Sequence, residues 1–286
     1  MLFADRPPMV TALLTPFDGQ GEVDHRALAE HAAYLASRGV DGVLACGTTG
    51  EGAALSDDEL ASVVQTVVTA VRGTARTVAH VGRVSTRATV ALARRAIADG
   101  ADALTAVVPY YDPLSAEQIA GHFRALVRAA GTVPVYAYNI PDRTGNDLDA
   151  DGLERLAADG LAGIKDSTKS MPRLLEYLDA AKRSAAVGHS IEVFIGADAL
   201  IIDSLTAGAA GSVNAIGNAR PELLAELKRA FAAGDAAGAA RAGAEIAAFR
   251  DRLLAGPLLR GLKRATAASL AAAGIRYPTA LRAPAS

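Results

Sequence analysis

Apolar residues in this chain fall into two alternating rhythms. Short runs rich in Val, Ile, Ala and Leu occupy 10–14, 42–46, 77–81, 103–108, 133–138, 162–165, 192–195 and 211–213, and each reads as a buried strand. Between them, apolar residues recur at helical spacing. Leu60, Val63, Val64, Val67, Val68 and Val71 form one such stripe; Ile119, Phe123, Leu126 and Val127 form another. Ser56 with Glu59, and Ser115 with Gln118, have capping-box spacing and mark the start of two helices. Eight strand–helix units in succession predict a closed parallel (β/α)8 TIM barrel. An open doubly wound sheet is the alternative, but no Gly-x-Gly-x-x-Gly follows the first strand.

Past Pro221 the strand signals stop. Residues 221–231 read as the barrel's last helix. The Ala-rich remainder is broken at Gly234, Gly238, Gly256-Pro257 and Gly274, yet Leu, Ile and Phe recur through it, so it reads as a small helical bundle. The expected organisation is a catalytic barrel over 1–232 with a C-terminal helical domain over 233–286.

Composition narrows the functional classes. Apolar residues make up 51% of 286 residues, enough for a large core. Lys and Arg number 29 against 31 Asp and Glu, a net charge of −2, which argues against a nucleic-acid partner. The lack of a Lys/Arg run or a long apolar stretch argues against a membrane. A single cysteine, Cys46, permits no internal disulfide, and the N-terminal residues lack the pattern of a signal peptide; both point to the cytoplasm.

Barrel enzymes place their chemistry at the C-terminal ends of the strands. There Lys165 closes the apolar run Leu161-Ala162-Gly163-Ile164. Burial disfavours an ammonium, and a neutral amine can attack a ketone to form an imine. The alternative is a lysine ion-paired with Asp166. Tyr138, at the end of the preceding strand, has a hydroxyl suited to moving protons around an imine, or is a packed ring with a wet tip. Thr48 and Thr49 sit in a Gly-flanked loop whose hydroxyls and N–H groups suit a small carboxylate; a plain tight turn is the other reading. Tyr111 can complete a hydroxyl relay, and Arg143 can clamp a second carboxylate or cap a helix. His25, His31, His80, His122 and His189 are scattered, no His-Glu-x-x-His or Walker loop occurs, and so no metal and no cofactor is expected. His80, ending the third strand, is a candidate to line the site. Cys46 reads as a small buried hydrophobe.

Four motifs then carry a resemblance: Gly47-Thr48-Thr49-Gly50-Glu51, Pro109-Tyr110-Tyr111, Tyr138-Asn139-Ile140-Pro141-x-Arg143-Thr144-Gly145 and Gly163-Ile164-Lys165-Asp166. In this order and spacing the chain resembles the dihydrodipicolinate synthase/N-acetylneuraminate lyase superfamily of pyruvate-dependent, Schiff-base aldolases over nearly its whole length. The resemblance implies a barrel with a C-terminal helical domain, assembled as a homotetramer of two tight dimers. It implies Lys165 as the Schiff-base lysine, Tyr138 as proton shuttle, and Thr48 and Thr49 as the hydroxyl and carboxylate-binding pair. It further implies Tyr111 as a tyrosine lent across the dimer interface, with Gly196 and Val213 lining the pyruvate pocket.

Within the superfamily the signals divide. Arg143 with Thr48–Thr49 is similar to dihydrodipicolinate synthase, where the arginine meets the aldehyde's carboxylate. Ala79-His80-Val81-Gly82-Arg83-Val84-Ser85-Thr86 and Arg260-Gly261-Leu262-Lys263 are more similar to neuraminate lyases and sugar-acid aldolases. Ala199 stands where the lyases tend to carry a carboxylate, and the histidine and asparagine pattern of a lysine feedback pocket is absent, with Asp57, Leu60 and Val84 in those regions. The first expectation is condensation of pyruvate with aspartate semialdehyde to 4-hydroxy-tetrahydrodipicolinate, a step of lysine biosynthesis. The second is cleavage or dehydration of a 2-keto-3-deoxy sugar acid or 4-hydroxy-2-oxo acid, or a neuraminate lyase-like reaction. A non-catalytic keto-acid sensor is the third, and the Lys165–Tyr138 pair argues against it.

Overall fold

A computed structural model describes residues 2–3 and 7–282. Its strands are β1 (Met9–Ala12), β2 (Gly42–Ala45), β3 (Arg76–His80), β4 (Ala103–Val107), β5 (Val135–Asn139), β6 (Gly163–Asp166), β7 (Glu192–Ile195) and β8 (Gly211–Asn214). They follow one another in chain order around a closed barrel, with parallel pairing. The helices between them are α1 (His25–Ser37), α2 (Asp57–Val71), α3 (Thr86–Asp99), α4 (Ala116–Ala130), the short α5 (Pro141–Thr144), α6 (Ala150–Ala158), α7 (Met171–Ala186) and the short α8 (Ile201–Thr206). After β8 come α9 (Pro221–Ala232), α10 (Ala236–Leu254) and α11 (Leu258–Ala271). This is the expected (β/α)8 TIM barrel with C-terminal helices.

The apolar runs became strands with small shifts at their ends. β5 starts at Val135 because Pro134 has no N–H for a ladder; its carbonyl accepts from the Leu104 N–H at 2.9 Å. Both capping boxes form, at Ser56–Glu59 and at Ser115–Gln118. The valine stripe of α2 is buried along its length. Gly238 is a correction: it lies in the first turn of α10, where its N–H donates to the Asp235 carboxylate at 2.8 Å and completes an N-cap. Gly234 and Gly274 do break the chain, each at positive φ. Of the C-terminal segment, 283–286 lie outside the described residues. No described helix is long and apolar enough to cross a membrane.

Contacts divide the chain into two compact units, Met1–Ala4 with Ala79–Val213, and Asp5–Val78 with Asn214–Ser286. In the first, Tyr138 stands opposite Lys165 and Lys165 opposite Phe194 across β5, β6 and β7. Strand periodicity puts Tyr136, Tyr138, Gly163 and Lys165 on one face and Asn139, Ile164 and Asp166 on the other. Below Lys165, the Tyr136 ring meets Phe194 edge-on at 5.7 Å, and Phe194 meets Phe3 at 6.3 Å. The Tyr136 hydroxyl donates to the buried Glu192 carboxylate at 2.5 Å. Gly163 lets β7 come this close, because a Cβ there would stand 2.1 Å from the Glu192 carbonyl oxygen. In the second unit α1 packs beside α2, and α10 beside α9.

Candidate active site

Strand β6 alternates in a way that leaves Lys165 alone with its neighbours on the inner face. Ile164 turns the other way and is fully buried. Asp166 also turns away: its carboxylate accepts from the Thr168 N–H at 2.9 Å and from the Thr168 hydroxyl at 3.2 Å, a side-chain turn that ends the strand. Burial raises the Asp166 pKa against those bonds. The ion-paired reading of Lys165 therefore loses its expected partner. Lys165 is 7% exposed, and its Nζ lies 3.8 Å from the centroid of the Tyr138 ring.

His80 joins this pair from the end of β3. Its ring meets Tyr138 edge-on at 6.1 Å with planes at 86°. Its Nε2 lies 3.1 Å from the Val107 N–H and accepts from it, so the ring's proton sits on Nδ1. Burial, reinforced by the positive charges of Lys165 and Arg83, lowers its pKa to about 3. His80 is thus a neutral imidazole at neutral pH.

Gly196, just past β7, is shaped by Lys165. A Cβ there would stand 2.2 Å from Ser167 Oγ, 2.8 Å from Lys165 Cε and 3.0 Å from the Asp166 carbonyl oxygen. Its N–H donates to that same carbonyl at 2.6 Å. Val213 is buried on β8, two residues beyond the Phe194–Gly211 register pair. Lys165, Tyr138 and Gly196 are therefore brought together, with His80 as a fourth member.

Tyr111 and Arg143 are placed differently. Tyr111 is 87% exposed and adopts φ +89°, a conformation that L side chains rarely take. Arg143 is exposed on α5, where its neighbour Asp142 pairs with Lys169 at 3.0 Å. One buried side chain, Asn146, ties these two loops together. It accepts from the Leu114 N–H at 2.9 Å and donates to the Pro109 and Asp112 carbonyls at 2.8 and 2.9 Å. Asn139 does the same for the chain after α5, donating to Asp147 at 2.7 Å and Tyr177 at 2.9 Å while accepting from the Leu148 N–H at 3.1 Å. Sequence reasoning gave neither asparagine a role. The available signal was the asparagine's habit of bonding to nearby backbone in irregular segments.

Thr48 and Thr49 lie in the other unit, on the turn after β2, the first exposed and the second half-buried. The turn is closed by the Glu51 N–H on the Thr48 carbonyl at 3.2 Å and the Gly52 N–H on the Gly47 carbonyl at 3.1 Å. Two non-glycine residues at its ends, Cys46 (φ +62°) and Glu51 (φ +54°), are left-handed. Cys46 is buried, as expected of a small hydrophobe, and its thiol donates to the Leu60 carbonyl at 3.7 Å. Among the described residues no group of three His, Cys, Asp or Glu side chains is arranged to hold a metal ion.

A closed eight-stranded barrel, with a buried lysine stacked on a tyrosine at its strand ends, belongs with the barrel lyases. A model of the Dihydrodipicolinate synthetase family matches residues 7–286, and the chain belongs to that family, whose members are lyases. It is 40% identical over 261 residues to an uncharacterised DapA-like lyase of Halobacterium salinarum, covering 91% of this chain and 82% of the relative. It is 35% identical over 274 residues to the 4-hydroxy-tetrahydrodipicolinate synthase of Anaeromyxobacter dehalogenans, covering 95% and 90%. Among solved structures it is similar to YagE, a prophage protein of the same family from E. coli K12 in complex with pyruvate. That match has a TM-score of 0.90 and 27% identity, over 98% of this chain and 93% of the other. It is also similar to KD(P)GA from T. tenax, with a TM-score of 0.85 and 31% identity, over 97% and 92%.

Proposed function

We propose that this lyase is a pyruvate-dependent aldolase that works through a Schiff base on Lys165. The observation that carries the reading is the buried Lys165 Nζ stacked 3.8 Å from the Tyr138 ring, on an inner face that its own Asp166 does not share. The Lys165 amine, once it has given up a proton, attacks C2 of pyruvate. The carbinolamine loses water, and the imine gives up a C3 proton to become an enamine. The enamine carbon attacks the aldehyde, and Lys165 is then released from the imine carbon by water or, where the aldehyde carries an amine as aspartate semialdehyde does, by that amine, which closes the ring. Tyr138 passes the protons between these species, and the imine supplies the electron sink, so no metal or cofactor is required. Gly196 and Val213 line the pyruvate pocket, and the Thr48–Thr49 turn takes its carboxylate through hydroxyl and N–H donors. Arg143 meets the carboxylate of the aldehyde, for which aspartate semialdehyde, giving 4-hydroxy-tetrahydrodipicolinate, is the first choice. Tyr111, exposed on a single chain, completes the hydroxyl relay from a second copy, in a cytoplasmic homotetramer built as a dimer of dimers. α10 and α11 form a C-terminal helical domain over 233–286, and the catalytic barrel ends at 232.

The likeness to KD(P)GA favours a second reading in which the same imine cleaves a 2-keto-3-deoxy sugar acid. One experiment serves both. One sample is treated with pyruvate and borohydride, weighed and mapped, and a separate untreated sample is assayed with aspartate semialdehyde and a panel of 2-keto-3-deoxy acids. An adduct on Lys165 that disappears in a folded Lys165→Ala variant is expected. An adduct elsewhere, or none, refutes the mechanism; turnover of a sugar acid but not of the semialdehyde replaces the first substrate with the second.

A further inference from the structure

Glu51 ends the Thr48–Thr49 turn, and its carboxylate is turned away from solvent. It pairs at 2.7 Å with Lys263 of α11, the two side chains being 3% and 0% exposed. Lys263 also donates to the Ala280 carbonyl at 2.6 Å and lies 4.5 Å from the Phe17 ring centroid. The second Glu51 oxygen accepts the Arg282 N–H at 2.9 Å. The Arg282 guanidinium stands 4.5 Å from the Phe17 centroid and pairs with Glu59 at 2.7 Å. It also donates to the Ala54 carbonyl at 3.3 Å and to the Gly21 carbonyl. The tail and the last helix thus grip the turn at its end and again at the start of α2.

An ion pair this deeply buried is a poor device for stability, since a well-packed apolar pair of the same volume does as well or better. What it provides is one fixed geometry, and this turn needs one. Cys46 and Glu51 are held left-handed without being glycine. Gly52 admits no side chain at all, since a Cβ there would stand 1.8 Å from the Cys46 carbonyl oxygen. We propose that Glu51, Lys263 and Arg282 are positioning residues, through which the C-terminal segment holds the strained Thr48–Thr49 turn in the conformation that receives pyruvate's carboxylate. The proposal rests on the reading of that turn as the pyruvate-carboxylate site.

The test measures the pyruvate concentration that half-saturates borohydride trapping at Lys165, together with kcat and melting temperature. The proteins are wild type, Glu51→Gln, Lys263→Met, Arg282→Ala and the double variant Glu51→Leu/Lys263→Met. Each single variant is expected to raise half-saturation by roughly ten- to a hundredfold, the scale of a displaced binding group, with kcat at saturating pyruvate much less affected. The double variant is expected to recover the melting temperature but not the affinity. A double variant that recovers both overturns the proposal, because the pair then serves stability alone. If a single variant does not fold, Arg282→Ala and the double variant decide the matter, and wild-type half-saturation in both overturns it. Wild type without any adduct overturns this proposal and the functional reading together; an adduct with unchanged half-saturation in every folded variant overturns this proposal only.

Discussion

Gly196→Ala is the sharpest test of where Lys165 sits. The new methyl would stand 2.2 Å from Ser167 Oγ, 2.8 Å from Lys165 Cε and 3.0 Å from the Asp166 carbonyl oxygen. Ordinary contact begins near 3.4 Å, so the lysine chain has to move by about half an ångström and Ser167 has to rotate, while the carbonyl is held by the Gly196 N–H itself. Overpacking of this kind costs about 1–3 kcal/mol of stability. Displacing Lys165, the proposed nucleophile, costs more in rate: misplacement by a fraction of an ångström to 1 Å is worth up to roughly a hundredfold. The assay is a time course of pyruvate–borohydride trapping followed by intact mass, with thermal melting alongside. Gly121→Ala in α4 is the control, since nothing lies within 4 Å of its added Cβ and it should gain up to about 1 kcal/mol from helix propensity. If Gly196→Ala forms the Lys165 adduct at the wild-type rate and half-saturation, the crowding argument is wrong and Lys165 reacts from another position.

Tyr138→Phe keeps the ring against Lys165 but removes the hydroxyl, so kcat should fall by roughly a hundred- to ten-thousandfold while melting stays near wild type; unchanged kcat would assign proton transfer to another group. Arg143→Ala removes a charge-assisted pair worth about 1.5–3 kcal/mol, lowering kcat/KM for a carboxylate-bearing aldehyde about ten- to a few-hundredfold; loss of pyruvate trapping as well would show that the two carboxylate sites were misassigned. Activity should survive prolonged chelation, and a loss restored by zinc or magnesium would refute the imine as sole electron sink. Burial lowers the pKa of His31 and His122 to about 4 and that of His80 to about 3. The unfolded chain, with ordinary histidines near 6.5, therefore binds more protons on acidification. Stability is lost as pH falls below about 6.5, by about 2 kcal/mol per histidine at pH 5, and urea midpoints that stay flat from pH 7 to 5 would contradict this.

How much of this was legible in the sequence depended on how local the cause was. The strands were legible because strands inside a closed parallel barrel are buried on both faces and read as continuous apolar runs. The buried position of Lys165 was legible because a charged residue ending such a run contradicts its surroundings. Tyr138 was singled out by its place at the end of the adjacent apolar strand, and the register does pair it with Lys165. Gly196 entered through resemblance alone, and only the fold shows that the bulk excluded there is that of Lys165 and Ser167. Asn146 was illegible because its bonds reach back 32 to 37 residues to a loop with no matching pattern. The Glu51–Lys263–Arg282 grip was more distant still, with Glu51 and Arg282 separated by 231 positions along the chain. A charge that pairs across such a separation leaves no periodicity, and Lys263 on a helix reads like any surface lysine until the fold buries it.

The buried histidine also bears on who moves protons in the proposed reaction. A histidine at a strand end beside a reactive lysine is the obvious general base, but His80 is unsuited to that work. Its Nε2 lone pair is already taken by the Val107 N–H, and its Nδ1 carries the remaining proton. Burial and two nearby cations hold its pKa at about 3, far from the value at which an imidazole exchanges protons at neutral pH. Such a ring can donate one hydrogen bond and fill space against the edge of Tyr138, which fixes the tyrosine ring that Lys165 stacks upon. In the proposed reaction proton transfer then falls to the Tyr138 hydroxyl, and discrimination between second substrates to groups further out, with Arg143 proposed as the charged one among them. An enzyme arranged this way keeps its imine chemistry while its aldehyde preference changes, which is why a barrel so similar to both a dihydrodipicolinic acid synthase family protein and KD(P)GA has to be assigned by its behaviour toward carboxylate-bearing and hydroxyl-bearing substrates rather than by its lysine.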